Sequence, residues 1–165
     1  MKDPEKCLLS LEEAVIWRKE LRCAGKRLVV TNGCFDLVHR GHASYLLEAA
    51  KLGDELLVLI NSDASVKALK GDSRPIVSEA DRAYLLAALE SVSRVVIFNS
   101  SRCDRELAAL QPDIYAKAGD YTIETLDAGE RAALLDGNTQ IVFIPFVSGF
   151  STTNIVEKIS STLTK

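Results

Sequence analysis

The chain has 165 residues, 47% of them hydrophobic and 26% charged, with a formal net charge of −3. That length suits one ordinary domain with a real core, and the composition is that of a soluble globular protein. The slight negative balance excludes a global basic field drawing the chain to nucleic acid or anionic lipid, so any polyanion it binds must be held by local design.

No apolar stretch approaches the ~20 residues needed to span a bilayer, so no membrane partner is expected. The opening "MKDPEKCLLS" is charged and lacks the apolar core of a signal peptide, which predicts a cytoplasmic location. Cys7, Cys23, Cys34 and Cys103 are scattered without a C-x-x-C pair or zinc-like spacing. They read as reduced thiols, and no structural zinc is expected.

In chain order, "SLEEAVIWRKELRCAG" predicts a first helix, with Ser10 and Glu13 at capping-box spacing and Gly25 as its stop. Residues 1–25 are read as an N-terminal helical extension of a core over 27–165. Five short apolar runs follow: "RLVVT" (27–31), "ELLVLIN" (55–61), "RVVIF" (94–98), "DIYAK" (113–117) and "QIVFIP" (140–145). Continuous rather than alternating apolar runs predict strands covered on both faces, as in a parallel sheet.

Helical spacing lies between them. Leu46, Ala49, Ala50 and Gly53 form one stripe, and Leu85, Ala88, Leu89 and Val92 form another behind a Ser78/Asp81 cap. "STTNIVEKISSTL" predicts a last helix through Ile155, Ile159 and Leu163. The alternation defines the expected fold: α/β, a single Rossmann-like doubly wound domain with a mainly parallel five-stranded sheet. Ligands in such sheets bind beyond the carboxyl ends of the strands, at a switch point.

"TNGCFDLVHRGH" (31–42) occupies that edge, between the first strand and a helix starting near Gly41, and it holds both histidines of the chain. Gly33 permits a tight turn, and Gly41 lets a phosphate approach the helix start. Free N–H groups and the positive end of the helix dipole make that start an anion site, with His39 and His42 placed as donors. A metal reading lacks both H-E-x-x-H spacing and a third ligand. By themselves, these could equally be cap or surface histidines.

"GCFDLVHRGH" resembles the G-x-F-D-x-x-H-x-G-H signature of the HIGH-motif nucleotidyltransferase superfamily at every specified position. From about residue 9 to the C-terminus, through "KGDSRP", "KAGDY" and "STTNIVEKI", the chain is similar to the adenylyltransferase domain of bacterial ADP-heptose synthases. The resemblance implies in-line attack of a phosphate monoester on the α-phosphate of ATP, with release of pyrophosphate. A phosphate monoester has a second pKa of about 6 and is already largely dianionic at neutral pH, so no general base is required. The protein's task is to position two polyanions and stabilise their charge.

On that resemblance His39, His42 and Lys70 are the expected catalytic residues, with Lys70 bridging both substrates. Asn32, Gly33, Cys34, Phe35, Gly41, Lys117, Gly119, Asp120, Ser151, Thr152 and Thr153 are expected to bind the nucleotide. Asp36 and Lys70 are expected to meet the acceptor. Lys67 reads as a surface charge, and Arg74 and Arg82 as phosphate contacts or structural ion pairs. Mg²⁺ is expected to arrive on ATP, without a dedicated protein cage. Partners are ATP and a sugar phosphate; related enzymes associate as dimers, which makes a homodimer the implied assembly.

The implied reaction joins AMP to a sugar 1-phosphate, D-glycero-β-D-manno-heptose 1-phosphate above others. The alternatives are a cytidylyltransferase for glycerol phosphate or a similar alcohol phosphate, and a catalytically silent nucleotide-binding subunit. Phe146 stands where the related cytidylyltransferases carry an arginine, and loss of that guanidinium fork weakens the CTP reading. Ala118 in place of a glycine, and Val147–Ser148 in place of an acidic pair, depart from the family pattern near the sugar or base pocket.

Overall fold

The computed structural model describes residues 2–145 and 149–163. A short 3₁₀ turn, Glu5–Cys7, leads into β1 (Leu8–Leu9), followed by α1 (Leu11–Cys23), β2 (Leu28–Gly33) and α2 (Arg40–Ala50). Then come β3 (Glu55–Asn61), α3 (Asp63–Lys70), α4 (Glu79–Ala88), β4 (Arg94–Phe98), α5 (Asp104–Leu110) and β5 (Ile114–Ala118). α6 (Ala128–Asp136), β6 (Gln140–Ile144) and α7 (Thr152–Leu163) complete the fold.

The strands form one sheet in the order β1-β4-β3-β2-β5-β6, and every pairing is parallel. Five strands stand where the apolar runs predict them. The sheet has six, because Leu8 and Leu9 pair with Val95 and Val96 at its edge. Two residues are too few to carry a periodic signal, and only the exposed edge of β4 makes a strand of them.

Each central strand is buried on both faces, which is why its sequence is continuously apolar. Val29, Leu56, Val58, Ile60, Val95 and Ala116 pack toward α2 and α4 through Leu46, Ala49, Ala83 and Leu86. Leu28, Val30, Leu57, Leu59, Val96 and Tyr115 pack on the other face against Ala14 and Leu21 of α1, Leu107 of α5 and Leu134 of α6. The chain winds outward from β2 to β4 on one side and through β5 to β6 on the other, so the switch point lies between β2 and β5.

Local chemistry sets the helix ends. Ser10 accepts from the Glu13 N–H while the Glu13 carboxylate receives the Ser10 N–H, the reciprocal cap expected of that spacing. Ser78 accepts from Asp81 N–H at the start of α4. The buried face of α4 differs from the predicted stripe, being made of Arg82, Ala83, Leu86 and Ala87, while Leu85 is 47% exposed. A charged residue within the buried face breaks the apolar pattern on which the stripe rests. Arg82 is fully buried because Val77 O, Cys34 O and the Asp63 carboxylate accept its N–H groups at 3.0, 2.5 and 2.7 Å.

Candidate active site

Two adjoining cavities open at the carboxyl ends of β2 and β5. The larger, about 530 Å³, is bounded by the starts of α2 and α7 and by the end of α3. His39, Gly41, His42, Lys70, Ser151, Thr152 and Thr153 line it, so segments far apart in the chain meet as the motif reading requires. The smaller, about 300 Å³, is lined by Asn32, Gly33, Cys34, Phe35, Asp36 and Lys117, and shares His42, Tyr45, Lys70, Ala118 and Thr152 with the first. Gly119 and Asp120 lie in the turn after β5, outside the lining of either cavity. Phe146, Val147 and Ser148 lie outside the described residues.

Among the described residues no side chain caps the start of α2, where extended His39 precedes the first turn. Its N–H groups are therefore available to an anion. The His39 and His42 rings stack at 3.9 Å between centroids and 17° between planes. Phe35 tilts against His42 at 5.2 Å, and Phe150 stacks against His39 at 6.4 Å. Gly41 makes this row feasible: a Cβ there would lie 2.9 Å from Phe150 Cβ and 3.0 Å from two atoms of the His39 ring.

Burial, seconded by the neighbouring His39 and by Lys70 against a raising contact with Leu37, pushes the His42 pKa down to about 4. Burial also lowers that of His39. Both rings are thus neutral donors at neutral pH, ready to gain positive character when polyanionic phosphate arrives. Nδ1 of each ring is buried without a hydrogen-bond partner among the described residues, an uncompensated polarity of the kind that collects at functional sites.

Lys70, the last residue of α3, is exposed on the wall common to both cavities. Lys67 pairs with Asp72 at 3.2 Å on the surface. Thr152 and Thr153 begin α7, while the Ser151 hydroxyl caps it by accepting from Asn154 N–H at 3.0 Å. Ser151 thus serves as an ordinary helix cap on the cavity wall, and among the described residues the hydroxyls of Thr152 and Thr153 have no partner.

Asp36 borders the smaller cavity but has its carboxylate committed elsewhere. One oxygen accepts from Ile76 N–H at 2.8 Å and Val77 N–H at 3.0 Å, and the other from the Arg74 guanidinium. It anchors the loop between α3 and α4, and through it Arg74, which lines the larger cavity. Lys117 is turned toward the protein: its ammonium donates to Asn32 Oδ1 at 2.7 Å and Tyr115 Oη at 3.1 Å.

Tyr45 and Phe150 line the site although motif reasoning passes over them. Tyr45 lies one turn beyond His42 and forms a common floor; its hydroxyl donates to Ala116 O at 2.9 Å and meets Thr31 Oγ1 at 2.6 Å. Helical spacing from His42 is the signal for it. Phe150 has none, because its stacking partner is on another element.

A doubly wound parallel sheet that brings two uncapped or hydroxyl-rich helix starts, stacked imidazoles and a lysine to its switch point defines an α/β protein with a cavity suited to an anion. The family model described as cytidylyltransferase-like matches residues 30–165, and the chain belongs to that family. A "Bifunctional protein HldE" from a Nitratiruptor species is 47% identical over 157 residues, covering 95% of this chain and 33% of that protein. Another of the same name, from Geotalea uraniireducens, is 50% identical over 141 residues, covering 86% and 28%. The chain thus spans about a third of the length of the curated relatives it matches. A solved "lipopolysaccharide core biosynthesis protein" from Thermoplasma volcanium superposes with a TM-score of 0.60 at 28% identity, covering 74% of this chain and 98% of that one.

Proposed function

We propose that this chain transfers AMP from ATP to a sugar 1-phosphate, of the D-glycero-β-D-manno-heptose type, with release of pyrophosphate. The observation that carries the reading is the stacked His39–His42 pair at the start of α2, which lines one cavity together with the start of α7 and Lys70. The larger cavity takes the triphosphate and the smaller takes the acceptor, which moves Asn32, Gly33, Cys34, Phe35 and Lys117 from the expected nucleotide side to the acceptor side. Strong similarity to proteins named HldE, and to a lipopolysaccharide core biosynthesis protein, supports the heptose class.

In this mechanism the acceptor phosphate, already ionised, attacks the α-phosphate in line. The imidazoles of His39 and His42 and the N–H groups of α2 donate to its oxygens as charge grows there. Lys70, on the wall shared by both cavities, holds the two anions together. Thr152, Thr153 and the start of α7 grip the departing pyrophosphate. Mg²⁺ on the triphosphate supplies further charge neutralisation when bound. Mg²⁺ keeps several waters and phosphate ligands, so it would be carried by the oxygens of ATP rather than by a protein cage.

Among the described residues no helix is long and apolar enough to cross a membrane. We place the enzyme in the cytoplasm with its ATP, as a homodimer, which sedimentation checks. Pyrophosphate release, measured with ATP and CTP against heptose 1-phosphate and glycerol phosphate, tests the assignment. ATP with heptose 1-phosphate is the pair expected to turn over; turnover with CTP alone overturns it.

A further inference from the structure

Beneath the smaller cavity lies a buried polar network that joins Asn32 and Lys117 to residues no motif supplies. Its centre is Glu130 on α6, 3% exposed. Oε1 of Glu130 accepts from Asn32 Nδ2 at 3.4 Å, from Cys103 N–H at 3.3 Å and from the Cys103 thiol at 3.4 Å. Oε2 faces the Lys117 ammonium at 3.8 Å. Tyr115 Oη donates to Asn32 Oδ1 at 2.7 Å, alongside Lys117. Burial raises the pKa of both the Cys103 thiol and the Tyr115 phenol, so both remain protonated donors.

We propose that Glu130 is a positioning residue that fixes the polarity of the Asn32 amide, so that Asn32 presents an N–H donor to the acceptor's phosphate or sugar oxygens. Asn32 Oδ1 already receives an ammonium and a phenol, and Nδ2 gives one hydrogen to a carboxylate. The opposite orientation would set Oδ1 against the Glu130 carboxylate and Nδ2 against Lys117, two repulsions in a buried setting. Among the described residues the second Nδ2–H has no acceptor, and Asn32 lines the smaller cavity. Lys117 is held by Asn32, Tyr115 and Glu130, so it orients the donor and leaves substrate contact to Asn32. The ligand class is therefore a hydrogen-bond acceptor, a phosphate or hydroxyl oxygen.

The inference deepens the proposed function and rests on its assignment of the smaller cavity to the acceptor. Its test combines kinetics with a readout that needs no turnover. Glu130→Gln retains size but offers Asn32 either an oxygen or an amide, so the flipped amide is then opposed only from the Lys117 side and Asn32 is held less firmly. The expected result is a KM for heptose 1-phosphate raised about tenfold, the worth of one charge-assisted bond, with KM for ATP within about twofold. Side-chain amide resonances of Asn32, assigned by their loss in Asn32→Asp, should shift and broaden in Glu130→Gln while the backbone spectrum of the sheet is retained. Unmoved Asn32 amide signals, or a rise confined to KM for ATP, overturn the proposal. If the wild-type protein fails to use ATP and sugar phosphate, the functional reading falls, and the Asn32 amide signals still decide the role of Glu130.

Discussion

Asp36→Ala is the perturbation whose magnitude follows most directly from the structure. The Asp36 side chain is buried and its carboxylate gathers three donors: Arg74 Nε, Ile76 N–H and Val77 N–H. Removing it strands a guanidinium and two amides. Each bond is to a charged group and worth about 1.5–3 kcal/mol when fully buried, and water reaching the loop brings each down to about 1. The sum predicts a loss of about 3–4 kcal/mol, in the range for breaking a buried ion pair. Asp36→Asn keeps one oxygen for Ile76 and Val77 but turns an amide toward Arg74, so a loss of about 2 kcal/mol is expected.

Burial pushes the Asp36 carboxyl up, but Val77 N–H, Ile76 N–H and Arg74 together outweigh it and hold its pKa below the usual 3.8. A depressed carboxylate contributes stability that is present above its unfolded value and is lost as pH falls through the folded one. Urea unfolding followed by circular dichroism, at neutral pH and again in acid, measures both effects. The Ala and Asn variants should lose stability at neutral pH and converge on the wild type in acid. An Ala variant within about 1 kcal/mol of the wild type at neutral pH would refute the reasoning, because the three bonds could not then be as the structure has them.

His42→Ala should lower the rate of pyrophosphate release by about two orders of magnitude, the scale of losing a preorganised transition-state donor. With its pKa lowered from 6.5 to about 4, His42 resists the proton that the unfolded chain takes up. Its contribution to stability is therefore complete above the unfolded value and lost as pH falls from there toward the folded one. The melting temperature of the wild type should fall more steeply across that window than that of His42→Asn. Gly41→Ala adds a methyl group 2.9–3.0 Å from Phe150 and His39. Helix propensity favours the alanine by up to about 1 kcal/mol, so turnover should drop more than tenfold with little change in melting temperature. Ser10→Ala, which removes the α1 cap far from both cavities, should cost about 1 kcal/mol in urea titration and leave KM and kcat unchanged.

Some features were legible because their causes are local in sequence. Five strands appear as apolar runs since a parallel sheet wets neither face, and the caps of α1 and α4 appear since a serine hydroxyl reaches only three residues ahead. The histidine-bearing loop and the Ser151–Thr153 start are equally local, each a turn entering a helix.

What the tertiary structure decided depends on partners distant in the chain. Leu8–Leu9 is a strand because β4 has a free edge. Arg82 is buried because Cys34 and Asp63 supply its acceptors, so the buried face of α4 lies off the apolar stripe. Asp36 and Lys117 carry charges that a motif assigns to ligands. In the fold, the first is committed to the loop that carries Arg74 and the second to Asn32. A buried charge must be satisfied by whatever group the fold brings within about 3 Å, and no spacing along the chain encodes that neighbour. The sequence by itself therefore determined where the histidine- and hydroxyl-bearing turns enter their helices, and the folded arrangement decided which charged side chains are committed to partners within the protein.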